Sequence, residues 1–589
     1  MNAVSPVETL VTDHLDLWTT ALKRKSTAGR GSSSKVELYG IKKLRELILE
    51  LAVRGLLVPQ DPNDEPASEL LKKIAAEKAR LVKAGKIKKE KPLPPITEAE
   101  KPFEIPPGWI WIRLSVLCEL ENGDRSKNYP NKSLLVDSGI PFVNAGHLQS
   151  GRINTSEMTF ISEERFNLLS GGKFSDGDIL FCLRGSLGKS AIVEGFSRGA
   201  IASSLVIVRL IGESDRFYFH NFFDSPLSYR QIQKYDNGTA QPNLSAADLG
   251  KFLIPLPPLT EQHRLVAKVD ELMALCDQLE QETDASLGAH QTLVETLLSA
   301  LTSAADHAQF ASAWQRIAGH FDTLFTTEES IAQLKQTILQ LAVMGKLVPQ
   351  DPNDEPASEL LKKIAAEKAK LVKEGKIKKE KPLPPIADNE KPYDLPKGWE
   401  WVRTYQVAEC RLGKMLDRAK NSGAAYPYLR NTNVQWQQFK LDDIKEINLE
   451  PYELEEYRLR DGDLLICEGG EPGRCAIWRT ERSEMYFQKA LHRVRVFGGI
   501  LPEHIANCLQ ADALCKRLDQ FFTGATIKHF AGQELNRYFF ALPPLAEQHR
   551  IVGKVDELMA LCDQLKSRLS DAQTTQHHLA DALVERAIG

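Results

Sequence analysis

This 589-residue chain lacks the features that would place it quickly in a common class. No apolar run approaches the roughly 20 residues that a membrane-spanning helix needs. The first residues, MNAVSPVETLVTDHLDLW, show no basic-then-apolar export pattern, so a cytoplasmic setting without a membrane partner is expected. Nine cysteines are scattered without a CxxC pair, which argues for reduced thiols and against a zinc site. A basic excess is also missing. The net charge is −4, so if the chain binds nucleic acid, its positive charge must be local or supplied by partner subunits.

Catalytic signatures are missing as well. RGSLGKS (Arg184 to Ser190) ends like a phosphate loop, but Leu183 stands where the pattern needs its first glycine. Its counterpart in the second half, GGEPGRC, has neither Lys nor Ser at the end. EQHR (Glu261 to Arg264) lacks the second histidine of a zinc-protease helix, and its twin Glu547 to Arg550 opens a matching helix, so helix-terminus packing explains both. There is no Asn-Pro-Pro-Tyr or Asn-Pro-Pro-Phe, the usual adenine-methyltransferase site. Paired carboxylates occur without a supporting constellation. The chain is expected to carry no catalytic residue, no cofactor and no metal.

What is present is repetition. LVPQDPNDEPASELLKKIAAEKARLVKAGKIKKEKPLPPI, residues 57–96, recurs at 347–386 with only Arg80 replaced by Lys370 and Ala84 by Glu374. PPLTEQHRLVAKVDELMALCDQL (Pro257 to Leu279) recurs as PPLAEQHRIVGKVDELMALCDQL (Pro543 to Leu565). Between these pairs the halves diverge almost completely. Internal repeats fix the architecture before any local reading does. With 42% apolar and 26% charged residues, the chain reads as several ordinary globular domains.

In order, residues 1–102 are helical. Leu44, Leu47, Ile48 and Leu51 share one helix face, Gly55 and Pro59 end that helix, and Ser68 can cap the next. AGRGSSSK (Ala28 to Lys35) reads as a flexible linker, and KIKKEKPLPPI as a proline-stiffened strap. Residues 103–256 switch to short β-type runs: WIWIRL, IPFV, GDILFCL, SAIV and IASSLVIVRL. Residues 257–392 open with a long helix whose Leu265, Val269, Leu272, Cys276 and Leu279 form a heptad seam. Residues 393–541 repeat the β-rich pattern, with Tyr426-Pro-Tyr-Leu-Arg echoing Ile140-Pro-Phe-Val-Asn and Gly462-Asp-Leu-Leu-Ile echoing Gly177-Asp-Ile-Leu-Phe. Residues 542–589 form the second long helix, with a seam of Ile551, Val555, Leu558, Cys562, Leu565 and Leu569. The expected fold is α+β: two β-rich mixed domains separated by long paired, coiled-coil helices, with internal pseudo-twofold repetition. The pairing is expected to be antiparallel and to fix the separation of the two domains.

Polar loops follow matching strands in the two β-rich domains and differ in identity there, which is how recognition modules diversify on a fixed scaffold. In the first they carry Asn144, His147, Gln149 and Arg152, then Arg184, Ser186 and Lys189, then Thr239, Gln241 and Asn243 in GTAQPNLS. In the second they carry Arg430, Asn431, Asn433 and Gln435, then Glu468 and Arg474, then Thr526, Lys528 and His529 in GATIKHF. Arg, Lys, Asn and Gln can make paired hydrogen bonds to base edges, and Glu can accept one from cytosine. Any one of these residues, taken alone, is more often an ordinary surface residue.

The plan of the chain, its IPLPPLTEQHR-type junctions (Leu253 to Arg264, Phe540 to Arg550) and GTAQPNLS (Gly238 to Ser245) resemble the specificity subunits of type I restriction–modification enzymes. The long repeat resembles that of the EcoA-like type IB subgroup. The resemblance covers nearly the whole chain. It departs from the family pattern at GATIKHF, where the DNA-proximal role is carried to Thr526, Lys528 and His529. It implies that each β-rich domain is a target recognition domain for one half of a bipartite sequence in double-stranded DNA. It implies that the helices serve as spacer and docking platform for two modification (methylase) subunits and two restriction (motor and nuclease) subunits. S-adenosylmethionine, ATP and Mg2+ would be used by those partners. A structural adaptor with two protein-binding modules on a coiled-coil strut is the rival reading. The acidic net charge favours it, and the divergence of the modules between near-identical struts opposes it.

Overall fold

The long repeat builds the same two helices twice. Tyr39–Arg54 and Glu328–Val343 form 16-residue helices, and Ala67–Lys83 and Ala357–Lys373 form 17-residue helices. These belong to a computed structural model that describes residues 6–24, 36–89, 92–238, 241–379, 381–416, 423–479, 484–524 and 526–588. The linker expected at 28–35 lies outside the described residues. The first helix of each pair ends where expected. Gly55 and Gly345 adopt left-handed φ values of 71° and 70°, and a Cβ at either would come within 2.6 Å of Pro106 or Pro396. Ser68 does not cap the next helix, which begins at Ala67 with no side-chain cap. The backbone does that work instead: the Ala67 N–H donates to the Gly108 carbonyl at 2.9 Å, and Ala357 repeats the bond with Gly398 at 2.9 Å.

The chain divides into two units, Met1–Ser286 with Ala572–Gly589, and Leu287–Asp571. The fold class is α+β as read from the sequence. In the first unit a four-stranded antiparallel sheet runs in the order Ser190–Ile192, Ile179–Cys182, Leu205–Leu210, Cys118–Asn122. The second unit repeats that order with Cys475–Ile477, Leu464–Cys467, Leu491–Val496 and Ala408–Leu412. A mixed sheet accompanies each, of five strands in the first unit and three in the second. Its parallel pair is Ile140–Val143 with Gly199–Ile201 in the first unit, and Ala424–Leu429 with Tyr486–Phe487 in the second. The run IASSLVIVRL is therefore not one strand. It breaks at residues 202–204, and its two parts join different sheets.

Each β-rich insert is entered and left through one antiparallel clip. Ile110–Arg113 pairs with Leu253–Leu256, and Glu400–Arg403 pairs with Phe539–Leu542. Directly after the clips begin helices of 45 and 44 residues, Leu259–Ser303 and Leu545–Ile588. Within the first unit, Leu265, Val269, Leu272 and Cys276 are buried, and Arg45 of the repeat helix binds Asp277 at 2.6 Å and Glu280 at 2.8 Å alongside them. Within the second unit, Ile551, Val555 and Cys562 share one core with Ile331, Leu334 and Ile338, and Lys335 pairs with Asp563. In each unit the seam of the long helix thus runs along the short repeat helix.

Candidate nucleic-acid interface

The start of each long helix locks the β-rich insert to the repeat. Glu261 accepts from Trp109 Nε1 at 2.8 Å and from Gln60 Nε2 at 2.5 Å, and Glu547 accepts from Trp399 at 2.9 Å and Gln350 at 3.0 Å. Burial pushes both carboxyls up, against the pull of those hydrogen bonds. Gln262 donates to the Pro257 carbonyl and accepts from the Asp215 N–H, while Gln548 does the same with Pro543 and Leu501. Arg264 and Arg550 pair with Asp64 and Asp354, each at 2.6 Å. EQHR is therefore a clasp between the helix start and the QDPNDEP loop, in both halves.

From this fixed base the four-stranded sheet points one end outward. Register aligns Asn122, Val206, Phe181 and Ser190 in a row at that end, and Leu412, His492, Ile466 and Cys475 in the second unit. The loops that leave this row hold most of the expected recognition residues. Leu183 N–H bonds to Ser204 O, Leu244 N–H to Leu183 O, and Arg184 bridges to Asn243, with its Nε donating to Asn243 Oδ1 at 3.0 Å. Gly151 bridges to Ala191, which draws the hairpin carrying Gln149 and Arg152 onto the same edge. Arg152, Arg184, Ser186, Lys189 and Gln241 are exposed. Thr239 lies outside the described residues. Asn144 and His147 hold their own turn: Asn144 Oδ1 accepts from Gly146 N, and His147 is buried with Nδ1 accepting from Asn144 N and Nε2 facing the Glu157 carbonyl.

In the second unit the corresponding loops meet in the same way. Phe530 N–H bonds to Glu468 O, Asn431 Nδ2 donates to Gly469 O, and Arg474 Nη2 donates to Asn431 O at 2.9 Å. Thr523 and His529 close a tight hairpin that exposes Thr526, Lys528 and His529. Asn433 is 2% exposed and spends its amide on Arg430 N, Lys440 O and Asp443 O, so it positions the loop. Arg430 is held by Asp443 at 2.6 Å, and Gln435 donates to Thr432 O.

Two exposed cations on the first rim, Arg125 and Lys127, escaped the sequence reading. Their signal was the run NGDRSK directly after a strand. Asp124 anchors that loop by accepting from Ser126 N at 2.6 Å and from Ser170 N and Oγ. Burial would raise its pKa, but these bonds outweigh it and hold the carboxyl at about 2. Among the described residues no cluster of His, Cys, Asp and Glu could hold a metal ion, and no helix is long and apolar enough to cross a membrane.

Residues 106–288 and 396–572 each match the family described as "Type I restriction modification DNA specificity domain". Both stretches contain one β-rich insert, its clip and the first part of one long helix. The chain is 44% identical to the type I restriction enzyme EcoAI specificity subunit of Escherichia coli over 602 residues, covering 99% of this chain and all of that one. It is 43% identical to the EcoEI specificity subunit of Escherichia coli over 610 residues, with 99% and 100% covered. The EcoKI specificity subunit of Escherichia coli (strain K12) is 22% identical over 498 residues, 82% of this chain and 89% of that one. The chain therefore belongs to the specificity subunits of type I restriction–modification enzymes, of the EcoA-like type, the components that direct such enzymes to DNA and do no catalysis themselves.

Proposed function

We propose that residues 103–256 and 393–541 are two target recognition domains, each reading one half of a bipartite sequence in double-stranded DNA. The remaining segments, 1–102, 257–392 and 542–589, serve as spacer and docking platform. The observation that carries this reading is the pair of loop sets at one end of two equivalent sheets, alike in backbone placement and different in side chains. In this reading Gln149, Arg152, Arg184, Ser186, Lys189 and Gln241 face one half-site, with Asn243 holding Arg184 in place. Gln435, Glu468, Arg474, Thr526, Lys528 and His529 face the other. Asn144, His147, Arg430, Asn431 and Asn433 fix the loops.

The repeats support two equal docking surfaces. Packing of helix Ala67–Lys83 constrains the buried Ala67, Leu70 and Ile74, yet exposed Lys72 and Lys73 and half-buried Glu69 are also unchanged in the second copy as Lys362, Lys363 and Glu359. Exposed faces this nearly alike fit two identical partners. Those are two modification subunits, which bring S-adenosylmethionine, joined by two restriction subunits, which bring ATP and Mg2+ chemistry. Exchanging the part of the first domain between its clip strands, residues 114–252, for the equivalent segment of a relative tests the reading. Methylation mapping is expected to show one half-site changed and the other kept, and a change in both halves would reject independent reading.

A further inference from the structure

We propose that the two recognition domains divide the work of holding DNA: the first supplies most of the attraction to phosphate, and the second grips its half-site through apolar contact with thymine methyl groups. This rests on the DNA reading above and goes one step beyond it.

Among the described residues, the loops of each rim carry five Lys or Arg side chains; Arg418 and Lys420 of the second rim's first loop lie outside the described residues. On the first rim they are Arg125, Lys127, Arg152, Arg184 and Lys189, all exposed, and none has a carboxylate partner among the described residues. On the second rim they are Lys414, Arg430, Arg474, Lys489 and Lys528. Four of these are engaged: Lys414 with Glu453, Arg430 with Asp443, Arg474 with Glu471 and Lys528 with Asp519 at 3.0 Å. The ion pair with Arg430 holds the Asp443 carboxyl below its usual range, so that partner stays charged near neutral pH. A cation already facing a carboxylate must leave it to meet a phosphate, and exchanging one anion for another yields little net attraction.

The second rim exposes apolar side chains at positions where the first is polar. Aligning Gly413 with Gly123 sets Met415 and Leu416 against Arg125 and Ser126, and aligning Gly524 with Gly238 sets Ile527 against Gln241. Met415, Leu416 and Ile527 are 60%, 51% and 66% exposed. The apolar feature that a base edge presents in the major groove is the thymine C5 methyl group.

The full chain, copurified with its partner subunits, is titrated with fluorescent random-sequence duplex DNA over a range of salt. Removing one cation that neutralises a phosphate should flatten the slope of log K against log salt by about 0.9. Arg184→Gln with Lys189→Gln is expected to flatten it by nearly twice that amount, and Lys414→Gln with Lys528→Gln by much less than half of what the first pair gives. In a second arm, sites selected from a random pool by the assembled complex are rebuilt with uracil in place of thymine. The wild-type complex is expected to bind roughly fourfold more weakly for each methyl group it touches, the worth of one buried methyl group. The weakening should fall on one half-site, and Ile527→Ser should abolish that sensitivity while leaving the salt slope unchanged. Equal flattening by both pairs of substitutions, or a wild-type complex indifferent to uracil, overturns the division of labour. A wild-type complex with no salt-dependent binding to duplex DNA at all would instead reject the DNA reading beneath it.

Discussion

The side chains most informative about this protein are those that looked least distinctive. Glu261 and Glu547 read as members of an EQHR string with a missing histidine. Their role depends on tryptophans 152 and 148 residues away, which no local pattern reveals. Replacing Glu261 with Ala leaves the buried Trp109 Nε1 without an acceptor and takes one of two from the Gln60 amide, which still donates to the Gly55 carbonyl. That should cost the first unit about 2 kcal/mol, since an orphaned buried donor costs roughly 1–3 kcal/mol. Glu261→Gln keeps one acceptor oxygen and should cost less. Denaturant unfolding of the two variants checks the order, and equal losses would show that the hydrogen bonds are not what matters. A second residue-level expectation concerns pH. Burial lowers the pKa of His504 to about 4, while its Nε2 donates to the Ala541 carbonyl at 2.8 Å. The folded value lies below the ordinary histidine value of 6.5, so the unfolded chain takes up the proton first. The stability contributed is full above pH 6.5 and falls as pH drops toward 4, by about 3 kcal/mol over that window. Buried His492, also shifted down by desolvation, acts in the same direction. His504→Met should be less stable at pH 7 yet show a shallower decline between pH 6.5 and 4, followed by chemical unfolding at stepped pH. An unchanged decline would mean that His504 is not the titrating group.

At the scale of elements the sequence was readable wherever one periodicity ruled. The strands at 110–113, 140–143, 179–182 and 190–192 fall on the runs picked out by β-branched and apolar residues, and both long helices start directly after their proline pairs. The break at 202–204 was not readable. Ile201 and Leu205 both belong to apolar strands, and only the tertiary structure sends them into different sheets. That break also forms part of the recognition rim. The clip Ile110–Arg113 with Leu253–Leu256 gives the domain-exchange experiment its boundaries. An exchange that keeps Trp109, both clip strands and Glu261 preserves every clasp hydrogen bond but that from the Asp215 N–H to Gln262, which the backbone of any replacement other than proline can supply, so such a chimera should melt within a few degrees of the parent. One joined inside the clip, replacing Ile110–Arg113 alone, sets a foreign strand against a native partner and should lose stability. The half-site outcome is interpretable only for the first kind.

At the scale of the molecule, the repeats announced duplication but not how the chain ends are used. Residues 572–588 belong to the first unit, more than 500 residues from the segments they touch. Ala580 is fully buried, Tyr39 donates to Asp581 at 2.9 Å, and His577 Nε2 donates to the Leu22 carbonyl at 2.8 Å, its ring 4.4 Å from that of Tyr39. In the second unit the corresponding place is taken by residues 287–303, where Val294, Leu298 and Leu301 are buried and Glu295 accepts from Gln333 at 3.0 Å. No charge run or heptad in the sequence couples Tyr39 to Asp581, because the contact is made by isolated residues on helices with other faces to satisfy. The arrangement nevertheless has a sharp consequence. Truncation after Asp571 removes a structural element of the first unit and leaves the second unit's own helix segment, 545–571, in place. Amide exchange in Tyr39–Arg54 should then accelerate by an order of tenfold or more, as expected when a helix loses buried cover and opens locally. Exchange in the equivalent helix Glu328–Val343 should hardly change. Tyr39→Phe, which removes the hydroxyl bonded to Asp581 and keeps the ring, should give a smaller change of the same kind at the same helix. If truncation loosened both helices equally, the last turns would be acting on the whole chain and not as a built-in part of the first unit.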